Sequence, residues 1–206
     1  MNNIVNVILI SFVLILAAAF LRFEKKSAAA EKIVLIAVLS ALSAAGRWLF
    51  TAIPSVQPSS FIIIMTGIVL GAQTGFMTGA LTAFLSSLLM GFGPWTPFQM
   101  AAWGLMGGIA GAFCVPLLKY KSLRLAYGAV WGILFGWIMN LWMLVSLGLA
   151  DASLAQIAGV YAASLVFDLM HSSANVLLIF VAGDKFIKIL SRVAVKYGLA
   201  SRGGVH

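Results

Sequence analysis

The sequence predicts an all-α integral membrane protein: a six-helix bundle with one additional N-terminal transmembrane helix. Three observations carry this reading. Of the 206 residues, 63% are hydrophobic and only 9% are charged, against roughly a quarter charged in a soluble domain. The apolar residues fall into runs of bilayer-spanning length. The cations cluster in the gaps between those runs. A soluble fold could not cover so much apolar surface with so few polar groups, so a soluble enzyme is excluded.

A helix crossing ~30 Å of hydrocarbon needs about 20 residues. The first run is Ile4 to Leu21, and the second is Ile33 to Ile53. A proline-containing loop (PSVQPSS) leads into FIIIMTGIVLGA, a short third segment between Pro58 and Gly71 that is expected to be tilted, broken or shielded by its neighbours. Phe76 to Met90 follows, then the loop GFGPWTP, then Phe98 to Leu118, Leu125 to Leu149 and Leu154 to Ala182. The chain divides accordingly into residues 1–29 (extra helix and basic linker), 30–190 (six-helix core) and 191–206 (C-terminal tail).

Seven crossings put three basic regions on one side. They hold Arg22, Lys25, Lys26 and Lys32; Lys119, Lys121 and Arg124; and Lys185, Lys188, Arg192, Lys196 and Arg202, leaving Arg47 alone toward the other side. The positive-inside rule then places the N-terminus outside and the C-terminus in the cytoplasm. The first run has no preceding cation, the reverse of a signal peptide, and is read as a retained helix. The single cysteine, Cys114, lies in an apolar run and reads as a small core hydrophobe.

Ionisable and amide groups inside apolar spans are costly and mark candidate sites. In the last segment Tyr161, Ser164, Asp168, His171 and Asn175 are spaced 3, 4, 3 and 4, one helical face. That stripe either bonds a neighbouring helix or serves a ligand or coupling role. Arg47 either snorkels to the interface or faces inward, to pair with Asp168 or to hold an anionic ligand group. Trp95, Gln99 and Trp103 share a face at four-residue spacing. They suit a flat, partly polar ligand, although an interfacial aromatic belt would also explain the indoles. Asn140 either bonds a neighbouring helix or reaches the same cavity. Ala37, Ala41 and Ala45 form a small-residue stripe, for packing within the bundle or for docking a partner.

The sequence contains no G-x-x-x-x-G-K-[ST] phosphate loop, no H-E-x-x-H and no G-x-S-x-G. No catalytic constellation or internal repeat is evident. No intrinsic cofactor or metal, and no nucleic-acid partner, is expected.

The small bundle with a short third segment resembles the substrate-binding S-components of energy-coupling factor (ECF) vitamin transporters. The alanines at 37, 41 and 45 match that family's Ala-x-x-x-Ala motif. The stretch GPWTPFQM is similar to a signature of the cobalamin-associated, CbrT-type subgroup. The resemblance covers about residues 30 to 190; the extra helix departs from the six-helix pattern. It implies a subunit of a bacterial cell membrane that captures a vitamin, cobalamin first, from outside. It would dock through the alanine stripe on an EcfT-type transmembrane coupling subunit, powered by two EcfA-type cytoplasmic ATPases. In that frame the ligand residues are Arg47, Gln57, Trp95, Gln99, Trp103, Asn140, Tyr161 and Asp168. The competing readings are an S-component for a different vitamin, a stand-alone proton-coupled carrier using Asp168 and His171, and a membrane enzyme using the same pair.

Overall fold

The structure is a computed structural model that describes residues 7, 10–11, 14–18, 20–21, 30–148 and 152–199. The expected first segment falls partly outside these residues, as do the linker cations Arg22, Lys25 and Lys26 and the tail cation Arg202. The described residues of the first segment are helical. From residue 30 the chain forms α1 (Ala30–Leu49), α2 (Pro58–Leu70), α3 (Ala72–Met90), α4 (Thr96–Ala112), α5 (Cys114–Lys119), α6 (Lys121–Ser146) and α7 (Leu154–Lys196). Six of these helices alternate in direction, and α5 is a single short turn-and-a-half at one end.

The expected fifth span is thus two helices. Pro116 has no N–H to offer the Ala112 carbonyl, so the α-helical ladder breaks at Phe113 and restarts. The last span runs unbroken through Lys196, 43 residues or about 64 Å. It opens with a capping box in which Ser153 and Gln156 satisfy each other's backbone N–H groups.

Among the described residues three helices, α1, α6 and α7, are long and apolar enough, by length and composition, to cross a membrane. The others depend on company. The 13-residue α2 spans only about 20 Å, yet every residue from Ser59 to Leu70 is buried. It packs against α1, α3, α4, α5 and α7. The short third segment is therefore shielded, which is why it reads as apolar all round rather than striped.

Glycines set how closely these helices pack. A Cβ on Gly67 (α2) or Gly75 (α3) would overlap the Gly107 carbonyl of α4, and one on Gly107 would overlap the Gly75 carbonyl. One on Gly79 would meet the backbone of Trp103, and one on Gly111 the backbone of Gly71 and Ala72. Three helices thus meet backbone to backbone, in the small-residue packing that a membrane favours. The α2–α3 corner turns at Gly71, whose φ of 88° suits only a residue without a Cβ.

Hydroxyls line the same seam. Thr74, Thr78, Thr82 and Ser86 recur every fourth residue of α3 and are all buried. Ser40 of α1 donates to the Thr78 carbonyl (3.3 Å), and Ser43 and Ser59 donate to each other's carbonyls (3.4 and 2.7 Å). On the second seam, Gly128, Gly132 and Gly136 of α6 lie against Asn175, Ser172 and Asp168 of α7. The outward faces carry Val34, Val38, Leu42, Val166, Phe167, Leu177 and Val181, all exposed, as lipid contact requires.

At the end of the bundle opposite Arg47, Arg124 is buried and donates to the Leu117 and Leu118 carbonyls (2.9 and 3.0 Å), closing the last turn of α5. It also pairs with Asp184 of α7, which Lys121 reaches at 3.2 Å.

Gly107→Val should lower stability by at least about 2 kcal/mol, because its side chain meets backbone that cannot yield. Gly159 has open space at its Cβ position, so Gly159→Ala should be neutral or stabilising by up to ~1 kcal/mol. Thermal unfolding in detergent compares the two.

Candidate functional site

The C-terminal ends of α1, α3 and α6 meet the N-terminal ends of α2, α4 and α7, and most of the predicted site residues gather at this end. Arg47 comes from the last turn of α1. Its Nη1 donates to Ser86 Oγ of α3 (2.7 Å) and to Gln99 Oε1 of α4 (3.2 Å). Its guanidinium carbon stands 5.0 Å from the centroid of the Trp103 ring, within range of a cation–π contact. Arg47, Gln99 and Trp103 are therefore one cluster. Only two of the five guanidinium N–H groups find acceptors among the described residues.

Trp103 is fully buried, and Gln99 is 8% exposed. The indole Nε1 donates to Ser60 Oγ of α2 (3.1 Å), and Ser60 lies 2.7 Å from His171 Nε2 of α7. Phe135 of α6 completes the arrangement, 5.1 Å from both the Trp103 and the His171 ring centroids. The backbone contact between Gly79 and Trp103 fixes the height of that indole in the bundle.

A second cluster joins α6 to α7. Asn140 Nδ2 donates to Ser164 Oγ (2.8 Å), which lies 3.0 Å from Asp168 Oδ2. Asp168 is buried against Gly136, where any Cβ would strike its carboxylate. Ser172 and Asn175 donate to the carbonyls of Ala129 (2.8 Å) and Gly128 (3.1 Å). The polar stripe of α7 thus serves interhelical bonding along most of its length. Tyr161 donates to the Trp137 carbonyl (3.3 Å) at the edge of this seam.

One expectation is corrected. Arg47 does not pair with Asp168: the guanidinium faces Ser86, Gln99 and Trp103, while the carboxylate turns into the α6–α7 seam. Nor do Asp168 and His171 share a hydrogen bond, since one turns to Ser164 and the other to Ser60. Trp95 stands at the N-terminal boundary of α4 with helical backbone angles, its carbonyl accepts the Gln99 N–H (3.1 Å), and its ring lies 6.4 Å from that of Trp142. Gln57 occupies the N-cap position of α2, three residues before Ser60, and its buried Oε1 has no hydrogen-bond partner among the described residues.

Ser60, Ser86 and Phe135 were missed from sequence. For Ser86 a signal existed: it is the last member of the four-residue hydroxyl repeat of α3. For Ser60 and Phe135 there was none, because a serine after a proline and a phenylalanine in an apolar span are both ordinary.

The site offers an aromatic face, an amide and a cation with spare donors, enclosed by apolar helices. In chemical terms such a set is suited to a planar molecule with hydrogen-bonding edges. Among the described residues no group of His, Cys, Asp and Glu could hold a metal ion.

A protein-family model described as the ECF-type riboflavin transporter, S component, matches residues 27–192. No curated protein and no solved structure matches the chain.

Ser60→Ala should cost about 1–3 kcal/mol, because it strips the buried Trp103 N–H and the His171 ring of their shared partner. Thermal unfolding in detergent would register the loss. Ser146→Ala, at an exposed hydroxyl, should change stability by no more than ~0.5 kcal/mol.

Proposed function

The chain belongs to the ECF-type riboflavin transporter S-component family, a family of transporter subunits rather than catalysts, and we propose that its ligand is riboflavin, held at the cluster of Arg47, Gln99 and Trp103. The observation that carries this reading is the half-buried Arg47 guanidinium, lying over the Trp103 face with N–H groups to spare. A flavin ring is flat and aromatic, with carbonyl and imide groups on its edge. It would stack on Trp103, accept hydrogen bonds from Arg47 and exchange them with the Gln99 amide. Asn140, Tyr161 and Asp168 of the α6–α7 seam, together with Gln57 and Trp95, are the polar and aromatic groups we assign to the ribityl hydroxyls and the approach to the site. The unpartnered Gln57 oxygen is an acceptor such a hydroxyl could satisfy.

The cobalamin expectation yields to riboflavin on two grounds. The family description names riboflavin. The cluster is also closely enclosed by Ser60, Ser86 and Phe135, which suits a small planar ring better than a bulky corrin.

The alanine stripe supports partner docking. Ala37, Ala41 and Ala45 are all exposed, so they do not pack inside this bundle, and α1 buries Ile36, Leu39, Ser40, Ser43 and Ala44 instead. ECF S-components generally work with EcfT-type and EcfA-type partners. In that arrangement the stripe would meet the coupling subunit and two ATPases would supply the energy. The cell membrane holds the protein, with the Arg47 end outward and the basic end in the cytoplasm. A stand-alone proton carrier has less support, because Asp168 and His171 lie in separate hydrogen-bond networks.

Purified alone in detergent, the protein should bind riboflavin and quench its fluorescence by stacking. Arg47→Gln should weaken binding by about tenfold to a hundredfold, the loss of hydrogen bonds from a charged donor. Cobalamin binding in place of riboflavin would replace the ligand but keep the family. Failure of the folded protein to bind any vitamin would refute the proposal. In proteoliposomes, uptake should require the coupling module and ATP. Ala41→Trp should abolish that uptake while leaving riboflavin affinity unchanged.

A further inference from the structure

Beyond its apolar span, α7 continues as helix past Asp184 and carries two parallel rows at four-residue spacing. One row is Asp184, Lys188, Arg192 and Lys196. The other is Ile187, Ser191 and Val195. Together they line a shallow groove of about 510 Å³. The adjoining face of the same stretch packs into the bundle, where Leu190 and Ala194 are buried. The groove is therefore held open by a docked helix rather than by a loose tail.

Its chemistry is two-sided. The wall is cationic, because Asp184 is already engaged by Lys121 and Arg124. Lys188 and Arg192 are exposed and form no ion pair among the described residues. The floor is apolar at Ile187 and Val195, with Ser191 Oγ between them, a buried hydroxyl with no hydrogen-bond partner among the described residues. A small free anion would satisfy the wall and leave the floor unused. A molecule that is anionic at one end and apolar at the other matches both.

The depth agrees. The Lys121–Arg124–Asp184 cluster marks the level at which charge replaces the apolar span. Lys188 lies one turn further on, about 6 Å along the axis, within a headgroup layer roughly 5–8 Å thick. Arg192 lies one turn beyond, and its long side chain can reach back to the same layer. We propose that this groove binds the phosphate headgroup of an anionic phospholipid, with Lys188, Arg192 and the Ser191 hydroxyl on the phosphate and Ile187 against the glycerol and first acyl carbons. The site is separate from the vitamin cluster, at the other end of the bundle.

The test uses the full chain in mixed micelles, with phosphatidylglycerol or phosphatidylcholine added at equal amounts. Thermal midpoint and lipid retention by native mass spectrometry are the readouts. Phosphatidylglycerol should raise the midpoint and be retained; phosphatidylcholine should do neither. The double variant Lys188→Gln/Arg192→Gln should weaken retention by about tenfold or more. Lys119→Gln/Lys185→Gln removes the same charge elsewhere and should retain the lipid as the natural chain does. Ser191→Ala should weaken retention without altering net charge. Equal responses to the two lipids would overturn the proposal, as would unchanged retention by the groove variant or equal loss in the control. Saturation by glycerol phosphate at the same concentration would make the groove a site for free phosphate. If the groove variant instead blocks assembly with the coupling module while lipid retention is unchanged, the groove belongs to an acidic protein surface.

Discussion

Everything in this bundle depends on three glycines, Gly67, Gly75 and Gly107, meeting where α2, α3 and α4 cross. Lipid is as apolar as a leucine side chain, so burying leucine between helices gains little in a membrane. What remains is van der Waals contact and hydrogen bonding, and both need the backbones close. With no Cβ in the way, α4 sits against α2 and α3 at a fixed height. That height sets Trp103 against Ser60 and Gln99 against Arg47. A bulkier crossing would leave the same side chains present but out of reach of one another.

The polar groups inside the bundle follow from the same closeness. Serine and threonine on α1, α2 and α3 are short enough to sit in the seam and donate to a facing carbonyl. The α6–α7 seam repeats the arrangement with its partners exchanged: glycines on α6 admit Asp168, Ser172 and Asn175 of α7. Among the described residues the Lys and Arg side chains are confined to the two ends. At one end Asp184 gathers Lys121 and Arg124 and ties α5, α6 and α7 together. At the other, Arg47 stands on hydroxyl, amide and indole groups, all neutral. A cation held by neutral groups keeps donors for a ligand, whereas one held by a carboxylate would have spent them. This difference separates the end that suits ligand capture from the end that anchors.

Much of this was legible in the chain. From residue 30 onward the apolar helical segments, apart from the break at Phe113, and the isolation of Arg47 from the other described cations follow from hydropathy and charge alone. So did the shared face of Gln99 and Trp103, because helical spacing determines it. The polar stripe of α7 was also visible, yet its purpose was not. Spacing shows that Asp168, His171 and Asn175 point one way without showing what they meet. The glycines behaved likewise: Gly75 and Gly79, or Gly128 and Gly132, stand four apart in the sequence, but only contact distinguishes a crossing point from a glycine such as Gly159 that faces open space. The alanine stripe of α1 allowed both internal packing and docking, and its exposure removes the first.

The sequence by itself determined that this is a membrane-embedded helical bundle with its positive charge gathered at one end. Those properties depend on transfer free energies summed along the chain, and each residue contributes regardless of its neighbours in space. The tertiary structure alone decided that Arg47 meets Trp103 and Gln99 instead of Asp168, that Ser60 links Trp103 to His171, and that α2 is enclosed on all sides. Such pairings depend on the rotation and depth of one helix relative to another. Close-packed small residues set these angles and depths, and they leave only a faint trace in hydropathy.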